Sequence, residues 1–246
     1  MEDLDLPRNR PGMDGLILDT LTALGLVGDE PVQYQSARAH RYAEAFARLQ
    51  AAGHVYRCTC TRSEIRGSYP GTCRDAGHPP EAPGAWRLRL PGRELWRFED
   101  RFQGAVSYTS SQVGDPVLIR RDGIVAYQFA VVVDDLSQRI TDVVRGADLL
   151  DSTPWQIAIA EALGAAPPRF AHVPVIVESD GAKLAKSRRS LPLESLEPLQ
   201  ALQLALGLLS QPLPAGNTGS AAALLDHAQR HWDPAAFAGR RRLPLT

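Results

Sequence analysis

The chain has 246 residues, 44% of them hydrophobic and 22% charged, with a net charge of −1. That length and balance suit a folded chain with a sizeable core and exclude a disordered polypeptide or a globally basic nucleic-acid binder. No apolar run approaches the ~20 residues of a membrane span. The acidic start Met1-Glu2-Asp3-Leu4-Asp5 lacks the charged-then-apolar pattern of a signal peptide, so a cytoplasmic protein is expected.

Met1 to Asp5 reads as the end of a strand. Leu16, Leu18, Leu21 and Leu24 recur at helical spacing, predicting an amphipathic helix over 15–26 that stops near Gly25. Ser36 is placed to cap a second helix running to Ala52, with Gly53 as its stop. A Gly-, Ser-, Thr- and Pro-rich knuckle follows. Trp86 to Leu90 alternates as a strand does, and Val117 to Arg120 is a second strand before a turn at Asp122-Gly123. Tyr127 to Asp135 is a buried apolar run whose periodicity fits strand or helix equally. Ile140 to Arg145 is a strand, and Thr153-Pro154 is a suitable cap and first-turn pair for a helix to Leu163. Val173 to Val177 is a short buried strand with a turn at Ser179-Asp180-Gly181. Leu199 to Leu209 and Ala221 to His231 are helices. Strands alternating with helices predict an α/β fold built on a parallel sheet.

The three cysteines, Cys58, Cys60 and Cys73, fall within 16 residues. An odd number in such a chain points to a metal site or reactive thiols rather than a disulfide framework. Three thiolates supply three ligands of a tetrahedral zinc site, and the 12 residues between Cys60 and Cys73 let the loop fold back. Spacing leaves the fourth ligand open among His78, His54 and Tyr69. A site closed by four protein donors is structural, because no position remains for water.

Cationic residues are lopsided: of 27, only Lys183 and Lys186 are lysines. In a chain that uses arginine wherever any positive charge serves, two lysines three apart mark a place where a compact, mobile charge is wanted, as at a phosphate. Gly181-Ala-Lys-Leu-Ala-Lys-Ser187 follows a buried strand, where a loop outside the sheet's carboxyl edge suits a triphosphate. Arg145 at a strand end is placed to grip a carboxylate with two parallel hydrogen bonds, or else to pair with Asp142 or Asp148. Asp134 and Asp135 are read as anchors for loops rather than metal ligands. Arg188-Arg189 and Arg240-Arg241-Arg242 are local basic patches.

Tyr127-Gln-Phe-Ala-Val-Val-Val-Asp-Asp135, Val144-Arg-Gly-Ala-Asp-Leu149, His172-Val-Pro-Val175 and Lys183-Leu-Ala-Lys-Ser187 together resemble the second half of a class I glutamyl-tRNA synthetase catalytic domain, the last matching its KMSKS loop. Leu184 and Ala185 depart from the Met and Ser of that motif's name. Cys-x-Cys followed by Tyr-x-x-x-Cys is similar to the short paralogues of that family, the glutamyl-queuosine tRNA(Asp) synthetases. The resemblance runs from Glu2 to about Leu191. It implies a Rossmann-like catalytic domain over 1–191 with a zinc-binding insertion at about 56–80, and a C-terminal helical segment over 192–246. It further implies activation of glutamate with ATP and Mg2+, then transfer of the glutamyl group to the cyclopentene diol of queuosine in the anticodon of tRNA(Asp). By the same resemblance Cys58, Cys60, Tyr69 and Cys73 are the ligands of one structural Zn2+. Glu2 holds the glutamate amino group, and Tyr127 and Arg145 complete the glutamate pocket. Lys183, Lys186 and Ser187 meet ATP, with Lys186 stabilising charge that develops on the triphosphate. A monomer is expected.

The family's opening strand, Arg-Phe-Ala-Pro-Ser-Pro-x-Gly, and its HIGH-bearing helix have no counterpart in this sequence, which starts at the Glu-Asp that normally follows them. The expectation is that the natural chain begins upstream of Met1, rather than that the gene encodes an inactive truncation. The chain as given is then expected to be poorly stable, with an unpaired sheet edge, and at best weakly active. A fragment of an ordinary glutamyl-tRNA synthetase is the competing reading. That enzyme needs an anticodon-binding region, and the 60 residues after Lys186 fall short of the usual ~100–150 of another domain. A catalytically inactive, zinc-containing tRNA-binding remnant is the alternative from a different class.

Overall fold

Among the described residues the apolar side chains pack into two larger clusters and a small one at the cysteine knuckle, and the candidate site residues stand near the ends of the elements and in that knuckle. The computed structural model describes residues 1–5, 9–178, 196–216 and 219–245. Helix α1 spans Met13–Ala23, and a 3-10 turn Gln35–Arg38 leads into α2, Ala39–Ala51. Strands β1 (Val55–Cys58), β2 (Ala85–Leu88), β3 (Leu95–Asp100) and β4 (Gly104–Thr109) follow. After them come the short α3 (Ser110–Val113), β5 (Val117–Ile119), α4 (Tyr127–Ser137), β6 (Asp142–Gly146) and α5 (Thr153–Ala162). Strands β7 (Arg169–Val173) and β8 (Val175–Val177), helices α6 (Pro198–Leu208) and α7 (Ala221–Arg230), and β9 (Arg242–Pro244) complete the order.

One sheet has the order β4-β3-β7-β6. Its centre is parallel: β6 pairs with β7 from Asp142↔Arg169 to Gly146↔Val173, and β3 joins β7 at Asp100↔Phe170. The β6-α5-β7 crossover is the unit a parallel pair requires. The expected parallel sheet is therefore mixed, because the turn at 101–103 is too short for a crossover and returns β4 antiparallel to β3. A second, antiparallel sheet, β1-β2-β5, carries the cysteine knuckle at the end of β1, and β8 pairs in parallel with β9.

The main core gathers Tyr42 and Leu49 of α2, Leu88, Trp96 and Leu118 of the strands, and Phe129 and Ile159 of α4 and α5. Tyr127 to Asp135 is helical rather than extended. Helix α4 is packed on most sides, burying Phe129, Ala130, Val132 and Val133, which is why its apolar run lacks a one-sided stripe. Leu24, Leu202, Leu206 and Leu224 form a smaller core joining the end of α1 to α6 and α7. Helix α1 itself buries none of its residues and exposes Leu16, Ile17 and Leu21.

Several local expectations are corrected. Met1 to Asp5 form no strand; the Met1 carbonyl accepts the Gln35 amide at 3.1 Å instead. Ser36 lies inside the 3-10 turn and its hydroxyl donates to Asp3 rather than capping α2. Thr153 is the first residue of α5, not its cap, and its hydroxyl is turned to Arg145. Val173 to Val177 is two strands broken at Pro174, which has no amide hydrogen to give a ladder. The β3-β4 hairpin was not anticipated from the sequence. Among the described residues no helix is long and apolar enough to cross a membrane.

Candidate functional site

The cysteine knuckle closes on itself. The thiol sulfurs of Cys58, Cys60 and Cys73 all lie within 4.8 Å of one another, and Cys60 and Cys73 are 3.5 Å apart. Tetrahedral zinc–thiolate geometry asks for sulfurs about 3.8 Å apart. Tyr69 Oη lies 3.4 Å from Cys58 Sγ and accepts the Cys73 amide at 2.7 Å. An oxygen ligand sharing the same metal would sit about 3.6 Å from a sulfur, so this hydroxyl fits the fourth corner. His78 stands behind, its Nε2 3.4 Å from Thr59 Oγ1. Burial opposes charge on Cys73, yet hydrogen bonding from the Thr59 backbone, the Cys60 thiol and Tyr69 brings its thiol down to about 6. Burial and the neighbouring thiols push Cys60 up to about 11. One thiol is thus already primed as the anionic donor a soft metal takes.

Surrounding residues hold the knuckle rigid. Buried Asp115 accepts from Tyr56 Oη at 2.6 Å, from Arg74 Nε at 2.9 Å and from the Leu90 amide at 3.0 Å. A Cβ on Gly84 would come within 2.3 Å of the Cys58 carbonyl oxygen. Only glycine lets these two backbones meet so closely.

At the carboxyl end of β6, half-buried Arg145 donates from Nε to His172 Nε2 at 2.9 Å and from Nη1 to Gln156 Oε1 at 2.6 Å. Its Nη2 donates to Thr153 Oγ1 at 2.9 Å and to the Leu149 carbonyl at 3.4 Å. Asp142, one of the ion-pair partners expected for Arg145, instead pairs with Arg169 at 2.6 Å and Arg101 at 3.5 Å. It lies at the opposite end of the same strand.

Tyr127 opens α4, and Asp135 lies two turns along it. These two, Arg145 and Glu2 are close enough to shift one another's ionisation. Burial, opposed by Arg145 and reinforced by Asp134 and Glu2, raises Asp135 to about 6. Partial burial and the Glu2 carboxylate hold the Tyr127 hydroxyl protonated. Glu2 is open to solvent at the rim of a cleft of about 530 Å³ that Asp134 and Asp135 also line.

Asp134 does anchor neighbouring segments, accepting from Gln35 at 2.9 Å, Arg38 at 2.7 Å and Tyr42 at 2.9 Å. Asp135 has no such partner among the described residues and lines the cleft with Glu2. Lys183, Lys186, Ser187 and the Arg188-Arg189 pair lie outside the described residues.

A family model described as the catalytic domain of class I tRNA synthetases (E and Q) matches residues 1–202. A glutamyl-Q tRNA(Asp) synthetase of Pseudomonas paraeruginosa is 48% identical over 249 residues, covering 99% of this chain and 84% of the relative. That of Pseudomonas aeruginosa is 49% identical over 238 residues, 95% of this chain and 80% of the relative. The chain belongs to the glutamyl-Q tRNA(Asp) synthetase family.

Among solved structures, a glutamate tRNA ligase from Elizabethkingia meningosepticum in complex with its amino acid superposes with a TM-score of 0.79 at 22% identity. A glutamate-tRNA synthetase from Elizabethkingia anophelis superposes at 0.80, also at 22% identity. Each covers all of this chain, which spans 59% and 60% of theirs, and the likeness establishes the class I synthetase fold. In this family member, sequence reading gathered Glu2, Tyr127 and Arg145 but missed the groups behind them: Asp100, Thr153, Gln156 and buried His172. His172 stood in a motif that carried the resemblance, the one signal that could have singled it out.

Proposed function

We propose that this chain activates glutamate with ATP and passes the glutamyl group to the cyclopentene diol of queuosine in tRNA(Asp). The observation that carries this reading is the 46–49% identity to glutamyl-Q tRNA(Asp) synthetases over nearly the whole chain. In the first step a glutamate α-carboxylate oxygen attacks the α-phosphorus of Mg2+-bound ATP, and pyrophosphate leaves. In the second a diol hydroxyl attacks the adenylate carbonyl, loses its proton and expels AMP.

The site residues have distinct parts. Arg145 is assigned the glutamate side-chain carboxylate. Four of its hydrogen bonds go to the protein, and Nη1 has a further N–H to offer. A single strong contact, rather than the two parallel ones expected from sequence, is therefore its starting point. Tyr127 offers a protonated hydroxyl beside it. Glu2, with Asp135 adding a second carboxylate, takes the substrate ammonium. Lys183, Lys186 and Ser187 are assigned the triphosphate, where a mobile ammonium on Lys186 offsets charge developing as pyrophosphate departs.

Cys58, Cys60, Cys73 and Tyr69 are assigned one zinc ion. Four protein donors close the coordination shell, so the metal's part is to hold the knuckle folded and not to activate water. The test is glutamate-dependent ATP–pyrophosphate exchange on residues 1–246 without tRNA. Exchange supports the reading; its absence, with glutamate and ATP both bound, contradicts it.

A further inference from the structure

Arg145 is held by a chain of buried groups that the proposed reaction does not itself use. Asp100 ends β3 and His172 lies on β7 directly opposite Arg145 in register. His172 is wholly inaccessible and Asp100 nearly so. His172 Nδ1 lies 2.5 Å from Asp100 Oδ2, and its Nε2 is the atom that meets Arg145 Nε.

The proton positions follow from chemistry. A guanidinium Nε carries hydrogen at any accessible pH, so His172 Nε2 must present its lone pair. The imidazole is then neutral, with its hydrogen on Nδ1 and directed at Asp100. Asp100 must be an acceptor on both oxygens, because Oδ1 already takes the amides of Phe102 at 3.0 Å, Gln103 at 2.9 Å and His172 at 3.1 Å. Burial disfavours charge on His172, and although burial also opposes charge on Asp100, these donors hold its carboxylate below the usual range. Arg145 is thus fixed in plane by His172 on its Nε edge, with Thr153 and Gln156 on its two terminal nitrogens.

We propose that Asp100 and His172 are positioning residues that set the orientation of Arg145 for glutamate. Asp100 selects the imidazole tautomer, and that tautomer holds the guanidinium. The proposal rests on the reading of Arg145 as the receptor for the glutamate side chain.

Asp100→Asn is the discriminating substitution. Its amide oxygen can keep the three backbone donors, while its NH2 faces His172 Nδ1. The imidazole hydrogen is then driven to Nε2, against Arg145 Nε–H. In residues 1–246, the ring-nitrogen NMR shifts of His172 should move from the Nδ1–H to the Nε2–H pattern. Glutamate Kd by calorimetry should rise about tenfold, the cost of one displaced charge-assisted contact, with ATP Kd changed by less than about twofold. Asp142→Asn, at the far end of β6, should leave both constants unchanged.

A switched tautomer with unchanged glutamate Kd, while Arg145→Lys weakens glutamate binding, overturns the positioning role alone. Unchanged binding in Arg145→Lys overturns the reading of Arg145 and the proposal with it. If Asp100→Asn does not fold, His172→Gln and His172→Leu decide. The amide of His172→Gln still accepts from Arg145, so it should bind glutamate more tightly than His172→Leu, and equal affinities overturn the proposal.

Discussion

The Arg87 guanidinium sits 3.8 Å from the centroid of the Tyr69 ring, stacking a buried cation against the residue that closes the cysteine knuckle. Its Nη1 also donates to the Asp115 carbonyl at 2.6 Å, so one side chain ties β2 to both the knuckle and the segment before β5. Arg87→Met keeps most of the aliphatic packing and removes both polar ties. The expected loss is about 1–3 kcal/mol of unfolding free energy, read from the midpoint of urea denaturation.

Metal content separates the candidate ligands. Wild-type protein is expected to hold about one zinc per chain, and Cys73→Ser far less, because a hydroxyl replaces the most acidic of the donors. Tyr69→Phe keeps all three thiolates and should surrender its zinc to a chelator at least about tenfold faster than wild type. His78→Ala should behave as wild type. Retention of zinc by Tyr69→Phe together with loss by His78→Ala would reassign the fourth ligand to His78.

Gly114 has φ +60° and is pressed against the Tyr69 backbone: an added Cβ would meet Tyr69 N and O at 2.8 Å. Gly114→Ala must therefore strain its own turn and push the strand of chain carrying Tyr69. A destabilisation of about 1–3 kcal/mol is expected, accompanied by weaker zinc retention. Gly53→Ala provides the control: its φ is also positive but nothing lies within 4 Å of its Cβ, so it should lose stability and keep its metal.

Asp135 titrates at about 6 in the folded chain, against 3.8 for an ordinary aspartate. The folded state binds this proton more tightly than the unfolded state, so stability falls as pH rises from about 4 through 6 and stays reduced above it. Asp135→Asn removes that dependence. It should match wild type near pH 4 and exceed it at pH 8 by on the order of 1–2 kcal/mol in thermal or urea melts. Because Asp135 is assigned to the substrate ammonium, the same variant should bind glutamate more weakly at pH 8. A variant both more stable and equally tight for glutamate would remove Asp135 from the pocket.

The knuckle was legible because its information is local. Three cysteines within 16 residues can meet through one loop, and thiolate chemistry then names the class of metal they could take; Tyr69 was singled out only by the family resemblance. The places of Tyr127 and Arg145 near the ends of strongly apolar elements were legible for a related reason, while their assignment to glutamate came from the family resemblance and is a proposal. The β3-β4 hairpin was not legible, because Asp100 puts a charged group at a buried position and breaks the alternation that marks a strand. Its carboxylate is buried because His172, 72 residues later, supplies the compensating donors.

By itself, then, the sequence determined the residue types and the local spacings: which side chains can bind a soft metal, grip a carboxylate or face a phosphate. Only the tertiary structure decided that Tyr127 to Asp135 is a helix buried nearly all round, that Asp134 braces the scaffold while Asp135 lines the cleft with Glu2, and that Asp100, His172 and Arg145 lie in one line across three strands. Those outcomes depend on strand register and on desolvation. Both arise from contacts between residues distant in the chain, and no local pattern encodes them.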